Sequence, residues 1–260
     1  MEKNPAVHVK HCCFQESNPT VEQLFSLYSQ TADFNPQVVL AVGGGSVMDV
    51  GKSLCCLYGK RIESPDSLRS IIQEKRYGTP QAKWIGVPTT AGTGSEVTCW
   101  ATIWDPAKDM KRSVELQENY AYAALADSSL IQGMPMGLAV SSALDAVAHA
   151  VESYWARHSN MTSKKLALGA IKTILSHMDS LLAGEESAYD YMSQGSMLAG
   201  LAFSNTKTTA CHSISYPLTM RCKIPHGTAV SLLLAPVMER NFDAIENREM
   251  LLEALGVQGP

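Results

Sequence analysis

A short apolar segment, residues 37–42, runs directly into three consecutive glycines, and this junction restricts the possible folds more than any other feature of the chain. The segment is rich in β-branched residues and apolar at successive positions, which is typical of a parallel strand buried on both faces. A helix is predicted to begin at Ser46, with Ser46 as its N-cap and Asp49 in the position of a capping-box acid. The pattern therefore predicts a strand, a tight glycine turn and a helix.

A second apolar run, residues 84–87, ends at Pro88 and is followed by a loop of small hydroxyl residues and glycines. Strands that alternate with helices predict a parallel α/β sheet, and such sheets bind ligands beyond the carboxyl ends of their strands. Glycines in the first loop allow backbone N–H groups to approach a pyrophosphate, and the helix N-terminus adds favourable partial charge. The two loops predict a ligand site, with ordinary turns and a flexible surface loop as the alternatives.

The second half of the chain has a different pattern, because from about Met134 it is predicted to be helical throughout. A βα half followed by an all-helical half predicts two domains with a boundary near residues 128–135, which divides the chain into residues 1–131 and 132–260. Ligand sites favour clefts between domains. The predicted helices span residues 140–157, 163–182, 188–203 and 227–241.

Composition argues against several classes of partner and location. The formal net charge is −4, so the basic footprint of a nucleic-acid-binding protein is missing. No apolar run approaches the length of a membrane span, and the N-terminus lacks the apolar core of a signal peptide. The chain has seven cysteines without a C-x-x-C motif. That pattern fits reduced thiols in a cytoplasmic protein better than a disulfide framework or a zinc ribbon.

A candidate metal site begins with Asp145 and His149, which are four residues apart and therefore share one face of a predicted helix. Their neighbours are Ala, Val and Leu, and a buried carboxylate beside a buried imidazole needs a partner such as a divalent cation. His212 and His226 follow much later in the chain. One carboxylate and three imidazoles suit Fe(II), Zn or similar cations. The alternatives are an ordinary helical pair and unrelated histidines, because spacing alone does not bring the two regions together.

The residues that carry these patterns also resemble one protein family. The sequence is similar to the iron-containing (group III) alcohol dehydrogenases along nearly its whole length, from Asn18 to Asn241. This resemblance implies an α/β N-terminal dinucleotide-binding domain with a parallel sheet, Rossmann-like, at residues 1–131. It implies an all-helical metal-binding domain at residues 132–260, as in the dehydroquinate synthase-like fold. The motifs occur in family order at residues 43–49, 88–96, 144–152, 198–203, 212 and 225–227.

The resemblance assigns roles to individual residues. An Asp and three His hold the metal in this family, and the matching positions are Asp145, His149, His212 and His226. The cofactor is NAD or NADP, and the metal is expected to be Fe(II), with Zn as an alternative. The positions matching the dinucleotide-binding motifs are Gly44, Gly45, Ser46 and Asp49 at the pyrophosphate, Thr89, Thr90, Thr93 and Ser95 along the ribose and nicotinamide, and Lys111 near the nicotinamide ribose.

Two residues near the third histidine are candidate catalytic residues. Many family members carry another histidine four residues after His212, where this chain has Tyr216, and a phenol with a pKa near 10 is a poor proton relay at neutral pH. The stretch at residues 207–219 is most similar to the phosphonoacetaldehyde reductase branch, and Lys207 would receive an anionic phosphonate. Lys207 reaches such an anion only if the helix carrying His212 begins after it; a solvated surface lysine is the alternative.

The implied function is metal-dependent hydride transfer between NAD(P) and a small aldehyde or alcohol, in a cytoplasmic homodimer without nucleic-acid or membrane partners. One alternative is a dehydroquinate-synthase-like lyase, which would consume no net NADH. Family members begin with another strand before the one that matches Val7 to Cys13, and they end with further helices. We therefore expect the chain to be truncated at both ends, and a non-catalytic protein that binds nucleotide or dimerises is the second alternative.

Overall fold

The computed structural model describes residues 7–259 and divides them into two compact units. The first unit contains residues 7–42, 46–86 and 99–123, and the second contains residues 43–45, 87–98 and 124–259. The domain division at residues 131 and 132 stays a prediction, because these units are defined by contacts rather than by independent folding. Across residues 7–259, no helix combines the length and the apolar character that crossing a membrane requires.

Helices dominate the part of the chain that the structure describes. The helices of the first half are α1 (Val21–Thr31), α2 (Gly45–Leu57) and α3 (Pro65–Gln73). The strands are β1 (Val38–Gly43), β2 (Lys83–Pro88), β3 (Trp100–Asp105), β4 (Met110–Glu115) and β5 (Ala123–Ala124). The second half contains α4 (Met136–Trp155), α5 (Met161–Leu175), α6 (Met178–Leu182), α7 (Glu186–Ser204), α8 (Ala210–Cys222), α9 (His226–Asn241) and α10 (Arg248–Leu255).

Local side-chain chemistry fixes where α1 begins. The Thr20 hydroxyl accepts a hydrogen bond from the Gln23 backbone N–H at 3.2 Å, and the Gln23 side-chain oxygen accepts one from the Thr20 N–H at 2.9 Å. This reciprocal capping box satisfies two backbone donors that the first helical turn leaves without partners. The apolar face of α1, including Leu24, then packs into the core of the first unit.

The three-stranded sheet has the order β1-β2-β5. The Lys83 N–H donates to the Gln37 carbonyl oxygen, and six residues later the Thr89 N–H donates to the Gly43 carbonyl oxygen. Both partners advance in the same direction along the chain, so β1 and β2 are parallel. The predicted burial of the second strand is confirmed, because its Trp84 is 1% exposed.

The prediction that β1 is buried on both faces is wrong. Val38, Leu40 and Val42 are each more than half exposed, and only Ala41 on the opposite face is fully buried. The physical reason is that α2 packs on the face of Val39 and Ala41, where Gly51 allows a close approach, and the face of Val38, Leu40 and Val42 points away from that helix.

Two further predictions at the N-terminal side are also wrong. Helix α2 begins at Gly45, so Ser46 is not its N-cap; the Ser46 hydroxyl accepts a bond from the Asn18 N–H, and the Asp49 carboxylate accepts one from the Thr102 N–H. The strand implied at residues 7–13 is not formed, since residues 7–16 have no regular secondary structure. Val7 and Val9 are 61% and 82% exposed, so the apolar burial that would stabilise a strand is missing there.

The antiparallel hairpin of β3 and β4 was not predicted. Its register pairs Trp100 with Glu115 at one end and Asp105 with Met110 at the other. Asp105 is fully buried and accepts hydrogen bonds from the guanidinium groups of Arg69 on α3 and Arg112 on β4. This buried carboxylate joins the hairpin to α3 within the first unit.

The helical prediction for the second half is confirmed for α4, α7 and α9, apart from their end points. The single helix predicted at residues 163–182 is wrong, because α5 ends at Leu175 and α6 begins at Met178. At the break, the His177 backbone N–H donates to the Ile174 carbonyl oxygen, and the ring Nδ1 of His177 lies 2.8 Å from the Thr173 carbonyl oxygen. In a continuous helix the His177 N–H would bond to the Thr173 carbonyl, but here the His177 side chain contacts that carbonyl instead.

Candidate metal centre

Three helices of the second unit bring together three of the four predicted metal ligands. Asp145 lies on α4, His212 is the third residue of α8, and His226 is the first residue of α9. One potential ligand atom from each lies within 4.8 Å of the other two. Asp145 and His212 are buried, whereas His226 is half-buried. One carboxylate and two imidazoles therefore converge on a single point.

His149 lies beside this cluster rather than within it. Its ring stacks on His212 with 4.3 Å between ring centroids, and on Phe203 with 4.2 Å. The Nδ1 atom is 4.0 Å from Asp145 Oδ2 and 3.2 Å from the Gly92 carbonyl oxygen. A proton on Nδ1 would be donated to that carbonyl, which leaves Nε2 as the nitrogen with a lone pair for a cation.

Two buried atoms of the cluster lack hydrogen-bond partners among the residues that the structure describes: Asp145 Oδ1 and His212 Nε2, which are 3.5 Å apart. Leaving buried polar atoms unsatisfied costs free energy, and a divalent cation would satisfy both. Carboxylate and imidazole ligands suit Fe(II) and Zn(II). The residues present therefore fit a bound divalent metal ion.

The electrostatics of the cluster favour a cation. Burial alone would raise the pKa of Asp145, but the surrounding imidazoles hold this pKa well below its usual range. Burial lowers the pKa of His149 to about 4, so its ring is neutral at pH 7. Burial opposes the charged form of His212 too, yet the carboxylates of Asp145 and Glu152 outweigh it and raise the pKa of His212 to about 9. Metal binding at His212 would therefore release a proton.

Glu152 belongs to this site, although the sequence interpretation gave it no role. It is fully buried on α4, and its carboxylate pairs with Nδ1 of His212. A signal for it exists in the sequence: Glu152 follows Asp145 by seven residues and His149 by three, so all three share one helix face. An acid with apolar neighbours on that face indicates a buried partner.

The two candidate catalytic residues lie on either side of His212 in the chain. Tyr216 is half-buried one turn later on α8, with its ring parallel to that of His226 and 6.3 Å between centroids. Burial, together with the carboxylates of Glu152 and Asp145, raises the pKa of Tyr216 to about 12. Lys207 is exposed, in the segment before α8, with a left-handed φ of 64°. Helix α8 thus begins after Lys207, as the anion-binding hypothesis requires.

The predicted glycine and threonine loops contact each other within the second unit. The Thr89 N–H donates to the Gly43 carbonyl oxygen at 3.0 Å. A Cβ atom added to Gly44 would lie 3.3 Å from Thr90 Cγ2, and one added to Gly45 would lie 2.9 Å from Thr93 Cγ2. The hydroxyl of Thr90 is buried without a hydrogen-bond partner in the described chain. Backbone left bare of side chains, beside an unsatisfied hydroxyl, fits the close approach of a pyrophosphate-bearing ligand.

The other predicted cofactor residues are divided between the units. Ser95 is buried in the second unit, one residue after Gly94. Ser46, Asp49 and Lys111 belong to the first unit, where Lys111 lies on β4 opposite Trp104. Burial lowers the pKa of Lys111 to about 8, against the opposing effect of Asp49. A lysine of this kind is partly neutral near pH 8 and is poised between charge states.

Comparison with known protein families gives two matches that together span most of the chain. The model for iron-containing alcohol dehydrogenase matches residues 2–128. The model for the C-terminal region of the Fe-containing alcohol dehydrogenase family matches residues 139–259.

Individual relatives agree with these matches. The NADPH-dependent butanol dehydrogenase of Clostridium saccharobutylicum is 31% identical over 241 residues, which are 92% of this chain and 61% of that protein. The crystal structure of an iron-containing alcohol dehydrogenase superposes with a TM-score of 0.84 at 31% identity, covering 93% of this chain and 65% of the other. The sulfoacetaldehyde reductase of Bifidobacterium kashiwanohense, solved with NAD+, has a TM-score of 0.79 at 26% identity, with coverages of 94% and 70%.

These likenesses confirm the predicted fold, a parallel sheet followed by a helical region. The chain nevertheless spans only 61% and 56% of the length of the first two curated relatives that it matches.

Proposed function

Because this chain belongs to the iron-containing alcohol dehydrogenase family, we propose that it is a metal-dependent, NAD(P)-linked enzyme that interconverts small aldehydes and alcohols. The observation that carries the proposal is the convergence of Asp145, His212 and His226, with two buried atoms that have no hydrogen-bond partner within residues 7–259. His149 completes the proposed ligand set by a small movement of its ring toward the cluster. Fe(II) is the proposed cation, and Zn is the alternative.

When bound, the cation supplies Lewis acidity at the carbonyl oxygen of the substrate, and the nicotinamide supplies the hydride. Asp145 and the three histidines hold the cation and do not exchange protons with the substrate. Tyr216, with a pKa of about 12, stays protonated at neutral pH. Its hydroxyl can therefore donate a hydrogen bond to a substrate oxygen, but it does not serve as the ionising proton source. The proton for the alkoxide comes from water or from a cofactor hydroxyl.

The proposed dinucleotide site uses the bare backbone at Gly44 and Gly45 for the pyrophosphate, with Ser46 and Asp49 alongside. Thr89, Thr90, Thr93 and Ser95 would flank the ribose and nicotinamide, and Lys111 would approach the nicotinamide ribose. The contacts between the two loops support this part of the proposal. The names of the relatives mention both NADPH and NAD+, so both dinucleotides are candidates.

Oxidation of NADH and NADPH, followed by the loss of absorbance, tests the proposal with a panel of short aldehydes and added Fe(II) or Zn(II). The expected result is loss of the reduced dinucleotide only when an aldehyde is present, and none after a chelator has removed the metal. A dehydroquinate-synthase-like lyase would give no net loss with any aldehyde. A non-catalytic chain would bind the dinucleotide, as calorimetry reports, without turnover. Either of these results would contradict the proposed function.

We further propose that the preferred aldehyde carries an anionic group, such as a phosphonate, that Lys207 recognises. The position of Lys207 before α8 supports this, as does the similarity to a protein named for an aldehyde that bears a sulfonate. A hydrogen bond between charged groups contributes about 1.5–3 kcal/mol, so Lys207→Ala should lower kcat/KM for phosphonoacetaldehyde by roughly ten- to a hundredfold. The value for an uncharged aldehyde of similar size should not change.

Lys223 offers a matched control for this experiment. It directly follows α8 at the other end and, like Lys207, is exposed with a left-handed φ. Lys223→Ala removes the same charge from a residue with the same left-handed backbone, so it should leave kcat/KM for both substrates unchanged. Equal losses on the charged and uncharged substrates in Lys207→Ala would leave the enzyme a general aldehyde reductase.

The proposed assembly is a homodimer in the cytoplasm. The seven cysteines are free thiols, which fits a reducing compartment. Sedimentation equilibrium should give twice the mass of the chain, and the mass of a single chain would contradict the dimer.

A further inference from the structure

We infer that Glu152 is a positioning residue: its carboxylate fixes which ring nitrogen of His212 carries the proton, and so which nitrogen is available to the metal. The inference rests on the proposed metal-dependent function. It is carried by a network of hydrogen bonds around one buried carboxylate in the second unit.

One oxygen of Glu152 is surrounded by donors. Oε1 accepts from the Thr209 N–H at 3.1 Å, from the Thr209 hydroxyl at 2.6 Å and from the Cys211 N–H at 2.8 Å. The Thr209 hydroxyl in turn accepts from the Trp155 indole N–H at 2.9 Å. An indole N–H only donates, so it directs the hydroxyl proton of Thr209 toward Glu152. All three groups around Oε1 are therefore obligate donors, and only an oxygen fits at that position.

The other oxygen, Oε2, faces Nδ1 of His212. The opposite ring nitrogen, Nε2, lies 3.5 Å from Asp145 Oδ1 and is directed at the proposed metal position. A neutral imidazole has one N–H and one lone pair, and a carboxylate can only accept. Glu152 thus holds the proton on Nδ1 and keeps the lone pair of Nε2 facing the cation, an outer-shell arrangement that orients a ligating histidine.

From these hydrogen bonds we predict the effect of replacing Glu152 with glutamine. The three donors around Oε1 require the amide oxygen there, so the amide NH₂ must occupy the place of Oε2. It then donates to Nδ1, which has to become the acceptor, and the imidazole proton moves to Nε2. In Glu152→Gln the nitrogen that faces the metal therefore carries a proton and has no lone pair for a ligand bond.

A purely structural role makes the opposite prediction. Glu152 also accepts backbone N–H groups at the start of α8, where Thr209, the N-cap residue, makes no side-chain capping bond. Gln has the same size as Glu and still offers an oxygen to those donors, so it would preserve packing and capping. Asp keeps the charge but is shorter by one methylene and would leave a void. Comparing the two variants therefore separates control of the tautomer from packing.

The experiment measures zinc affinity by competition with a chromophoric chelator. Loss of an outer-shell partner typically lowers metal affinity by about 10- to 100-fold. The zinc affinity of Glu152→Gln should therefore be lower by about 100-fold, and that of Glu152→Asp by less than about tenfold. Glu246→Gln, which makes the same chemical change at an exposed ion pair with Lys164, should bind like the unsubstituted chain. Circular dichroism checks that each variant is folded.

A second measurement does not depend on any variant. In the zinc-loaded, unsubstituted chain, long-range ¹H–¹⁵N NMR of the imidazole rings should find the proton of His212 on Nδ1. A proton on Nε2 overturns the inference, as does an affinity order in which Glu152→Gln binds zinc better than Glu152→Asp. If Glu152→Gln binds normally while His226→Ala loses zinc, the inference fails and the proposed function stands. If the unsubstituted chain binds no zinc or iron, both fail.

Discussion

Tyr216 has surroundings that restrict what its hydroxyl can do. The residue lies one turn after His212 and beside His226, and burial keeps its phenol protonated far above neutral pH. A histidine at the same position would titrate near pH 6.5, whereas this side chain does not ionise in the range where enzymes are normally assayed. The contribution to turnover that we propose for Tyr216 is therefore a hydrogen bond rather than a proton transfer.

Tyr216→Phe tests that contribution. The loss of one neutral hydrogen bond is worth about 0.5–1.5 kcal/mol, which corresponds to a decrease in kcat/KM of about 3- to 10-fold. Because the phenol does not titrate below about pH 12, the shape of the pH–rate profile between pH 6 and pH 10 should be the same in both proteins. Disappearance of a limb from the profile in Tyr216→Phe would contradict this and make Tyr216 a proton donor.

At the residue scale, sequence patterns supplied candidate ligands but not the way in which they come together. Asp145 and His149 share a helix face by spacing alone, so their proximity follows from the helix. His212 and His226 approach Asp145 only because α4, α8 and α9 pack together, and no local pattern encodes that packing. The hydrogen bonds of Glu152 depend on the same long-range contacts, which explains why the sequence interpretation passed over it.

At the scale of elements, the glycine turn before α2 is shaped by the loop that follows β2. Helix α2 begins at Gly45, directly against the side chain of Thr93. Any side chain at position 45 has to displace Thr93, which is itself a proposed cofactor residue, and so disturbs the loop that a pyrophosphate would approach.

Gly45→Ala is accordingly expected to weaken binding of NADH and NADPH by about tenfold, the equivalent of one good hydrogen bond to a charged group. Isothermal titration calorimetry measures the dinucleotide affinity, and the zinc content of Gly45→Ala should equal that of the unsubstituted chain. Gly133→Ala is the matched control, because a Cβ atom there meets nothing within 4 Å. Equal dinucleotide affinities for Gly45→Ala and Gly133→Ala would show that the turn at Gly45 does not bind the dinucleotide.

The buried ion pairs of Asp105 join three elements of the first unit. Burial would raise the pKa of Asp105, but the guanidinium groups of Arg112 and Arg69 lower it below its usual value. A carboxyl with a depressed pKa in the folded state stabilises the protein above its unfolded pKa of about 3.9. That stabilisation is lost as the pH falls through the lower folded pKa.

Asp105→Asn should therefore lower the free energy of unfolding by about 3 kcal/mol at pH 7, since the buried Arg112 loses its anion. Arg69 is less affected, because it also pairs with Glu22 and Asp66. The difference between the two proteins should narrow as the pH drops below about 4, where the unsubstituted chain loses the same contribution. Urea denaturation at several pH values measures both effects. A difference that is constant from pH 7 to pH 3 would mean that the ion pairs do not stabilise the unit.

Element types were predictable wherever the apolar period was strong, as in α4, α7 and β2. The hairpin of β3 and β4 was missed because β4, Met-Lys-Arg-Ser-Val-Glu, has only two apolar residues to define a period. The exposed face of β1 was missed for another reason. An apolar run reveals which residues favour burial, but the helices that pack on the sheet decide which faces of a strand are covered, and that packing depends on long-range contacts.

At the scale of the whole molecule, the proposed ligands are all in the second unit, whereas the proposed cofactor residues belong to both. Asp145, His149, His212 and His226 lie on three helices of the second unit, so metal binding depends on that unit being folded. Turnover additionally requires the dinucleotide. A chain that binds metal without turnover would therefore lack a working dinucleotide site, whereas a chain that binds no metal would lack the metal site itself.

The most direct test of metal-dependent hydride transfer is a titration of the metal-free chain with Fe(II) or Zn(II), during which the rate of NAD(P)H oxidation by an aldehyde is recorded. The rate should start at zero, rise in proportion to added metal and stop rising at one ion per chain. His158→Ala, which changes an exposed histidine, should follow the same curve, and His226→Ala should stay at the baseline. A metal-free chain that oxidises NAD(P)H at full rate, or a His226→Ala variant that follows the unsubstituted curve, would contradict the account.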